Sequence, residues 1–177
     1  ATYKQLLDYS PKDQDLQRAY LESLMGMKDY KTAEKVVKQV LKANPSDARN
    51  NFQLVKIYKG IDEEKKANKL IEKIISRVNN NDDEIRATAD LFEKEGYLDN
   101  AIAVYEKGKS FEKDFPYLYA PELALLYNKK GDIEKATESL LDVYVSRPEK
   151  SEEIKATFQR IMNQPEKIKD LQNKVTK

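Results

Sequence analysis

The 177-residue sequence predicts an all-α solenoid of antiparallel helix pairs, and three observations carry the prediction. First, Ala33, Ala67 and Ala101 stand 34 residues apart, and Ala136 follows 35 later. A fixed period of this size marks stacked supersecondary units, none of which can bury its apolar face alone. Second, only five glycines are present and 36% of residues are charged, a profile that suits long solvated helices better than sheets. Third, apolar residues within each period recur at three- and four-residue spacing, the mark of one buried helical face.

Taken in order, residues 1–12 (ATYKQLLDYS, closed by Pro11) read as the second helix of a truncated repeat. Pro11 lies 34 before Pro45, and Tyr3, Leu6 and Leu7 lie 34 before Val37, Val40 and Leu41. A chain opening inside a repeat would leave that apolar face uncovered, so self-association through the N-terminal helix is expected.

Repeat one spans 13–47, with helix A over 13–27 and helix B over 31–43. Leu16, Tyr20, Leu21 and Leu24 form the inner face of helix A. The Met27-Lys28-Asp29 turn is short enough to force its two helices antiparallel. Asn44-Pro45 ends helix B, because proline disfavours helical geometry in the residue before it, and Ser46 and Asp47 offer N-caps for the next helix.

Repeat two spans 48–81. Leu54, Val55 and Tyr58 replace Tyr20, Leu21 and Leu24, and the run Asn79-Asn80-Asn81-Asp82-Asp83 replaces proline as the breaker. Repeat three (82–116) has Ile85, Ala89 and Phe92 facing inward, a turn at Gly96, and Gly108 where the other repeats carry Val40, Ile74 and Val143. A glycine there costs about 1 kcal/mol relative to alanine, so either the helix bends or a neighbouring aromatic fills the gap. The extra residue of the period falls between Gly108 and Leu123. Repeat four (117–150) has Leu123, Ala124 and Tyr127, then Gly131-Asp132, then Ala136, Leu140 and Val143. Residues 151–177 form C-terminal capping helices, with Ile154, Phe158 and Ile161 inward and a last helix starting at Gln164-Pro165.

The composition also restricts function. There is no cysteine and no histidine, so thiol chemistry, zinc-thiolate sites and the usual general base are missing. The net charge of +1 gives no bulk attraction to nucleic acid or an anionic membrane. No apolar run approaches the roughly 20 residues needed to span a bilayer. No enzyme, cofactor, metal, nucleic-acid partner or membrane insertion is expected.

This pattern resembles the tetratricopeptide repeat (TPR) family over nearly the whole chain. The likeness lies in the helix A residues already named, the Lys28-Asp29 and Gly131-Asp132 turns, the four small alanines, and the large residues four later (Val37, Ile71, Tyr105, Leu140). The closing prolines Pro45 and Pro148 complete it. The departures are Gln17, Asn51, Ile85 and Ala120 at the family's helix A tryptophan or aromatic position, and Asn79 and Lys113 in place of prolines. The resemblance implies a right-handed superhelix in which alanine lets helix B approach helix A closely. Ala67→Leu should therefore overpack that contact and cost about 1–3 kcal/mol, which a shift in denaturation midpoint would show.

The resemblance also implies a concave groove lined by helix A residues off the packing face, holding an extended peptide or a partner helix. By register its binding residues are Arg18, Arg49, Phe52, Lys56, Arg86, Leu118 and Leu125. Arginine and aromatic anchors are residue types that carry interface energy. A double change of Phe52 and Arg86 to alanine should weaken a partner without unfolding the chain. The carboxylate clamp of one family subtype fits neither register here, since its places hold Glu22, Asp83 and Ala87, or Leu118 and Glu122.

The runs GIDEEKKANK and SEEIKATFQR read as solvated faces, and Asp82-Asp83-Glu84 as a helix cap rather than a cation site. The leading function is a non-catalytic protein-interaction module or scaffold. The alternative is a regulatory or targeting segment of a larger protein whose active domain lies elsewhere. An all-helical enzyme or RNA-binding repeat protein is disfavoured by the missing His and Cys and the balanced charge.

Overall fold

The computed structural model describes residues 13–111, 118–146 and 151–162. Every regular element among them is an α-helix, as the repeat pattern requires. The truncated helix over 1–12, the last helix after Gln164-Pro165 and the middle of the joint before Leu123 lie outside the described residues. The chain divides into two compact units, Ala1–Arg77 and Val78–Lys177.

The first unit contains α1 (Gln14–Gly26), α2 (Tyr30–Ala43), α3 (Ala48–Gly60) and α4 (Glu64–Arg77), each packed against the next. The starts of α1, α2 and α3 are fixed by side-chain caps. Asp13, Asp29 and Asp47 accept from the backbone N–H groups of Leu16, Thr32 and Asn50 at 3.0, 3.1 and 2.8 Å. A carboxylate at this position satisfies a donor that the helix cannot, and sits at the positive end of the helix dipole. Leu21, Leu24, Ala33, Val37, Leu54 and Ile57 form one buried cluster, with Tyr20, Tyr30, Leu41 and Tyr58 against it.

Asn51 stands where the resemblance expects an aromatic, and it is buried. Its Nδ2 donates to the carbonyls of Pro45 and Asp47 at 3.0 and 2.7 Å. A polar side chain is tolerated here because the two turn carbonyls satisfy its buried amide.

The second unit contains α5 (Asp82–Lys94), α6 (Leu98–Phe111), α7 (Ala120–Lys130), α8 (Ile133–Ser146) and α9 (Ser151–Met162). Asn81 caps α5 by accepting from the N–H of Glu84 at 2.9 Å. Asp82, Asp83 and Glu84 fill its first turn, where the dipole favours negative charge. The core of α7–α9 is Ala120, Ala124, Ala136, Leu140, Val143, Ile154 and Ile161.

All four turns between paired helices share one backbone device. A residue one or two places past the end of helix A is left-handed in each: Lys28 (φ 58°), Asp62 (φ 60°), Gly96 (φ 82°) and Gly131 (φ 83°). The next N–H reaches back five residues along the chain, from Asp29, Glu63, Tyr97 and Asp132 to the carbonyls of Leu24, Tyr58, Phe92 and Tyr127, at 2.8–2.9 Å. This is a Schellman closure, and it satisfies carbonyls that the helix end leaves open. Asp29 and Asp132 then cap the following helix with their side chains. One residue thus ends helix A and starts helix B.

Ala33, Ala67, Ala101 and Ala136 have no exposed surface. Of the two alternatives for Gly108, the second is realised: α6 continues to Phe111, and a neighbouring aromatic, Tyr119, fills the gap.

Candidate functional site

In the first unit the helix A residues read as partner-binding fare differently from one another. Arg18 is exposed on α1 and pairs with Asp15 one turn earlier, Nη2 to Oδ1 at 2.8 Å. Arg49 is exposed in the first turn of α3, and Lys56 is half-buried further along the same helix. Phe52 does not belong with them. It has no exposed surface, so the expected aromatic anchor is packing material. A benzyl side chain at that place gains more from burial than from solvent. The Phe52→Ala, Arg86→Ala double change would therefore create a cavity and test stability, not binding.

In the second unit Arg86 is engaged from three sides. Its Nε meets both oxygens of Asp82, one turn earlier on α5, at 3.1 and 2.9 Å. Its Nη1 donates to Glu122 Oε1 on α7. Its guanidinium lies 5.3 Å from the centroid of the Tyr119 ring. Burial works against the Arg86 charge, but the hydrogen bonds to Glu122 and Asp82 outweigh it and hold the group above the ordinary arginine range. The Arg86 hydrogen bond likewise holds the Asp82 carboxyl below its usual range. Arg86 is a clasp between α5 and α7 and not the uncommitted donor expected from the sequence.

Tyr119, immediately before α7, ties this cluster together. It is fully buried, its hydroxyl shares a hydrogen bond with Asp82, and its ring lies 5.1 Å from that of Tyr105 on α6. Burial raises the Tyr119 hydroxyl above its usual range, with the Asp82 hydrogen bond adding to the effect, and pushes Tyr105 up to about 12. Glu122 Oε2 is buried and accepts no hydrogen bond. Leu118 is 39% exposed and Leu125 is half-buried. Sequence reasoning missed Tyr119. Its one signal was the coincidence of a glycine at a core position with an aromatic-rich joint a few residues later.

Residues 1–50 match the tetratricopeptide repeat family. Over that stretch the chain is similar to tetratricopeptide repeat sequence. A search of curated proteins finds no match. Two crystal structures of MamA are similar at 20% identity, covering 85% of this chain in each case, with 81% and 87% of those chains and TM-scores of 0.39 and 0.38. The human IFIT1 dimer with m7Gppp-AAAA is similar at 14% identity, covering 97% of this chain and 43% of that one, with a TM-score of 0.40.

The matched TPR stretch contains α1 and α2 and ends in the first turn of α3. A TPR array builds an interaction scaffold for proteins, because stacked pairs leave helix A surfaces uncovered by any neighbour. No helix among the described residues is long and apolar enough to cross a membrane.

A second concave surface of the first unit was not legible from the family pattern. It is a cavity of about 390 Å³ bounded by α2, α3 and α4. At its edge the Tyr58 hydroxyl donates to Glu34 Oε1 at 3.0 Å, and Lys38 Nζ contacts the same oxygen at 2.6 Å. Lys66 Nζ stands 5.8 Å from the centroid of the Tyr58 ring.

Proposed function

We propose that the chain is a non-catalytic protein-interaction module that holds an extended peptide or a partner helix against its helix A surfaces. The supporting observation is that Arg18, Arg49 and Lys56 lie on helices α1 and α3 at places packing does not fully cover, within and just beyond the TPR match. Guanidinium and ammonium groups there would take carboxylates or backbone carbonyls of the bound segment. Leu118 and Leu125 supply the apolar contacts on the second unit. Chemistry is not the role of these surfaces: the chain has neither histidine nor cysteine, and its perturbed tyrosines are held in packing and ion-pair clusters.

The test is affinity capture with mass spectrometry from the native organism, comparing the parent chain with an Arg18→Glu, Arg49→Glu, Lys56→Glu triple variant. All three positions are at least partly exposed, so helical circular dichroism and the melting midpoint should stay close to the parent. Captured proteins should be lost from the triple variant. Full retention of those partners would place binding on another surface.

A further inference from the structure

The cavity bounded by α2, α3 and α4 carries a charge asymmetry that the chain as a whole conceals. Helices α2 and α4 together hold nine lysine or arginine side chains against three carboxylates. Their counterparts in the second unit, α6 and α8, hold three against five. A chain of net +1 therefore concentrates its positive charge on the helix B surface of its first unit.

The geometry sharpens that excess into a groove. Lys66, Lys69 and Lys73 line one wall at i, i+3 and i+7, which sets them on one face of α4. Leu41, Leu54 and Leu70 line the same cavity. None of its lining residues is acidic. Lys66 bonds Glu63 at 2.8 Å, whereas Lys69 and Lys73 are exposed. The sequence assigns the start of α4 to a solvated face. The apolar residues beneath the lysines are what distinguish a groove from such a face.

We propose that this groove is a second docking site, distinct from the helix A surfaces, and that its occupant is an acidic amphipathic helix of a protein partner. Leucine-type side chains of that helix enter the apolar cavity, and its glutamates or aspartates lie against Lys69 and Lys73. Charge complementarity selects the acidic partner and steers its approach. The apolar lining selects an amphipathic helix, whose anchors recur at the same three-four spacing as the groove's own residues. A nucleic acid fits less well. Single strands gain from stacking bases on exposed aromatics, but the aromatic ring here, Tyr58, has its hydroxyl on Glu34 and its ring beside Lys66.

The test uses isotope-labelled protein titrated with a designed helical peptide bearing a leucine stripe flanked by glutamates. The same leucine stripe flanked by glutamines is the control, and an oligothymidylate and anionic phosphatidylserine vesicles are the competing anions. Amide shifts should concentrate on α4 and on the neighbourhood of Leu41 and Tyr58. Lys69→Glu, Lys73→Glu should weaken the acidic peptide at least tenfold with an unchanged melting midpoint, and the glutamine control should bind the parent at least tenfold more weakly. Arg18→Glu, Arg49→Glu should leave this titration unaltered, which separates it from the helix A proposal. Equal binding by the lysine variant, no binding at all, or tighter binding of the oligonucleotide or vesicles through the same lysines would each overturn the assignment.

Discussion

A Cβ built on Gly108 would stand 2.6 Å from Cε2 of Tyr119, so the tyrosine ring occupies the space a side chain at 108 would need. The two methyl carbons of Ile85, Cγ2 and Cδ1, lie at 3.1 and 3.2 Å from the same point. The glycine is therefore a vacancy matched to a ring in a neighbouring element, in a core position where other repeats carry Val40, Ile74 and Val143.

This makes the sign of one substitution decidable. Gly108→Ala gains up to about 1 kcal/mol of helix propensity. It also forces the buried Tyr119 ring out of place, and overpacking a closed site costs about 1–3 kcal/mol. The clash wins, and the variant should lose stability. Gly26→Ala is the control, since a Cβ there meets nothing within 4 Å. Chemical denaturation should show Gly26→Ala neutral or stabilised and Gly108→Ala destabilised. A Gly108→Ala variant as stable as Gly26→Ala would refute the role of the ring.

The left-handed turn residues give a second prediction. Lys28 and Asp62 occupy a conformation that costs a side-chain-bearing residue about 1–2 kcal/mol, and Gly96 and Gly131 occupy it freely. Lys28→Gly should raise stability by about 0.5–1 kcal/mol after the larger entropy of glycine in the unfolded chain is deducted. Asp62→Gly should raise it less, because a short polar side chain tolerates this region. Gly131→Ala should lower stability by a similar amount. Melting midpoints measured by calorimetry order the three variants, and a loss on Lys28→Gly would contradict the turn geometry.

The periodic part of this architecture was open to sequence reasoning because repetition averages out local ambiguity. Ala33, Ala67, Ala101 and Ala136 were assigned to a close helix contact by the resemblance that their spacing carries, and each is completely buried. The α1 and α2 boundaries fell within a residue of the expected ones, since caps such as Asp13 and Asn44 write themselves in local chemistry. The surfaces were far less legible. Register says which way a side chain points from its own helix, but it does not say what another helix places there. Phe52 was assigned to a groove and is buried, and Arg86 was assigned to a partner and is held by Glu122, 36 positions away. Lys65, Lys66 and Lys69 were assigned to a solvated face because two of the leucines lining the cavity, Leu41 and Leu54, come from other helices.

The clasp around Arg86 predicts a non-additive pair. Arg86→Met leaves Asp82 and Glu122 without their shared cation, and Glu122 Oε2 already lacks a hydrogen-bond donor. Arg86 is 41% and Glu122 28% exposed, so water screens much of the loss, and a cost of about 1–2 kcal/mol is expected rather than that of a fully buried pair. Adding Glu122→Gln removes the stranded charge and should recover part of that cost. A double-mutant cycle by urea denaturation measures the coupling, and strict additivity would show that the contact contributes nothing.

The Glu34 carboxylate gives the pH dependence. Its hydrogen bond to Lys38 holds its pKa below the ordinary value, against a smaller opposing effect of burial, and Tyr58 adds a further hydrogen bond. A carboxyl group with a depressed folded-state pKa stabilises the fold fully above its unfolded value of about 4.3. That contribution disappears as pH falls through the lower folded value, because both states then carry the proton. Glu34 is mostly covered and Lys38 largely exposed, so the contribution is about 0.5 kcal/mol. Glu34→Gln keeps an acceptor for Tyr58 and removes only the charge. Parent and variant should therefore differ most at pH 6–7 and converge towards pH 3. Urea unfolding at both ends of that range measures the gap, and a gap of the same size at pH 3 would mean that shape, not ionisation, is what Glu34 supplies.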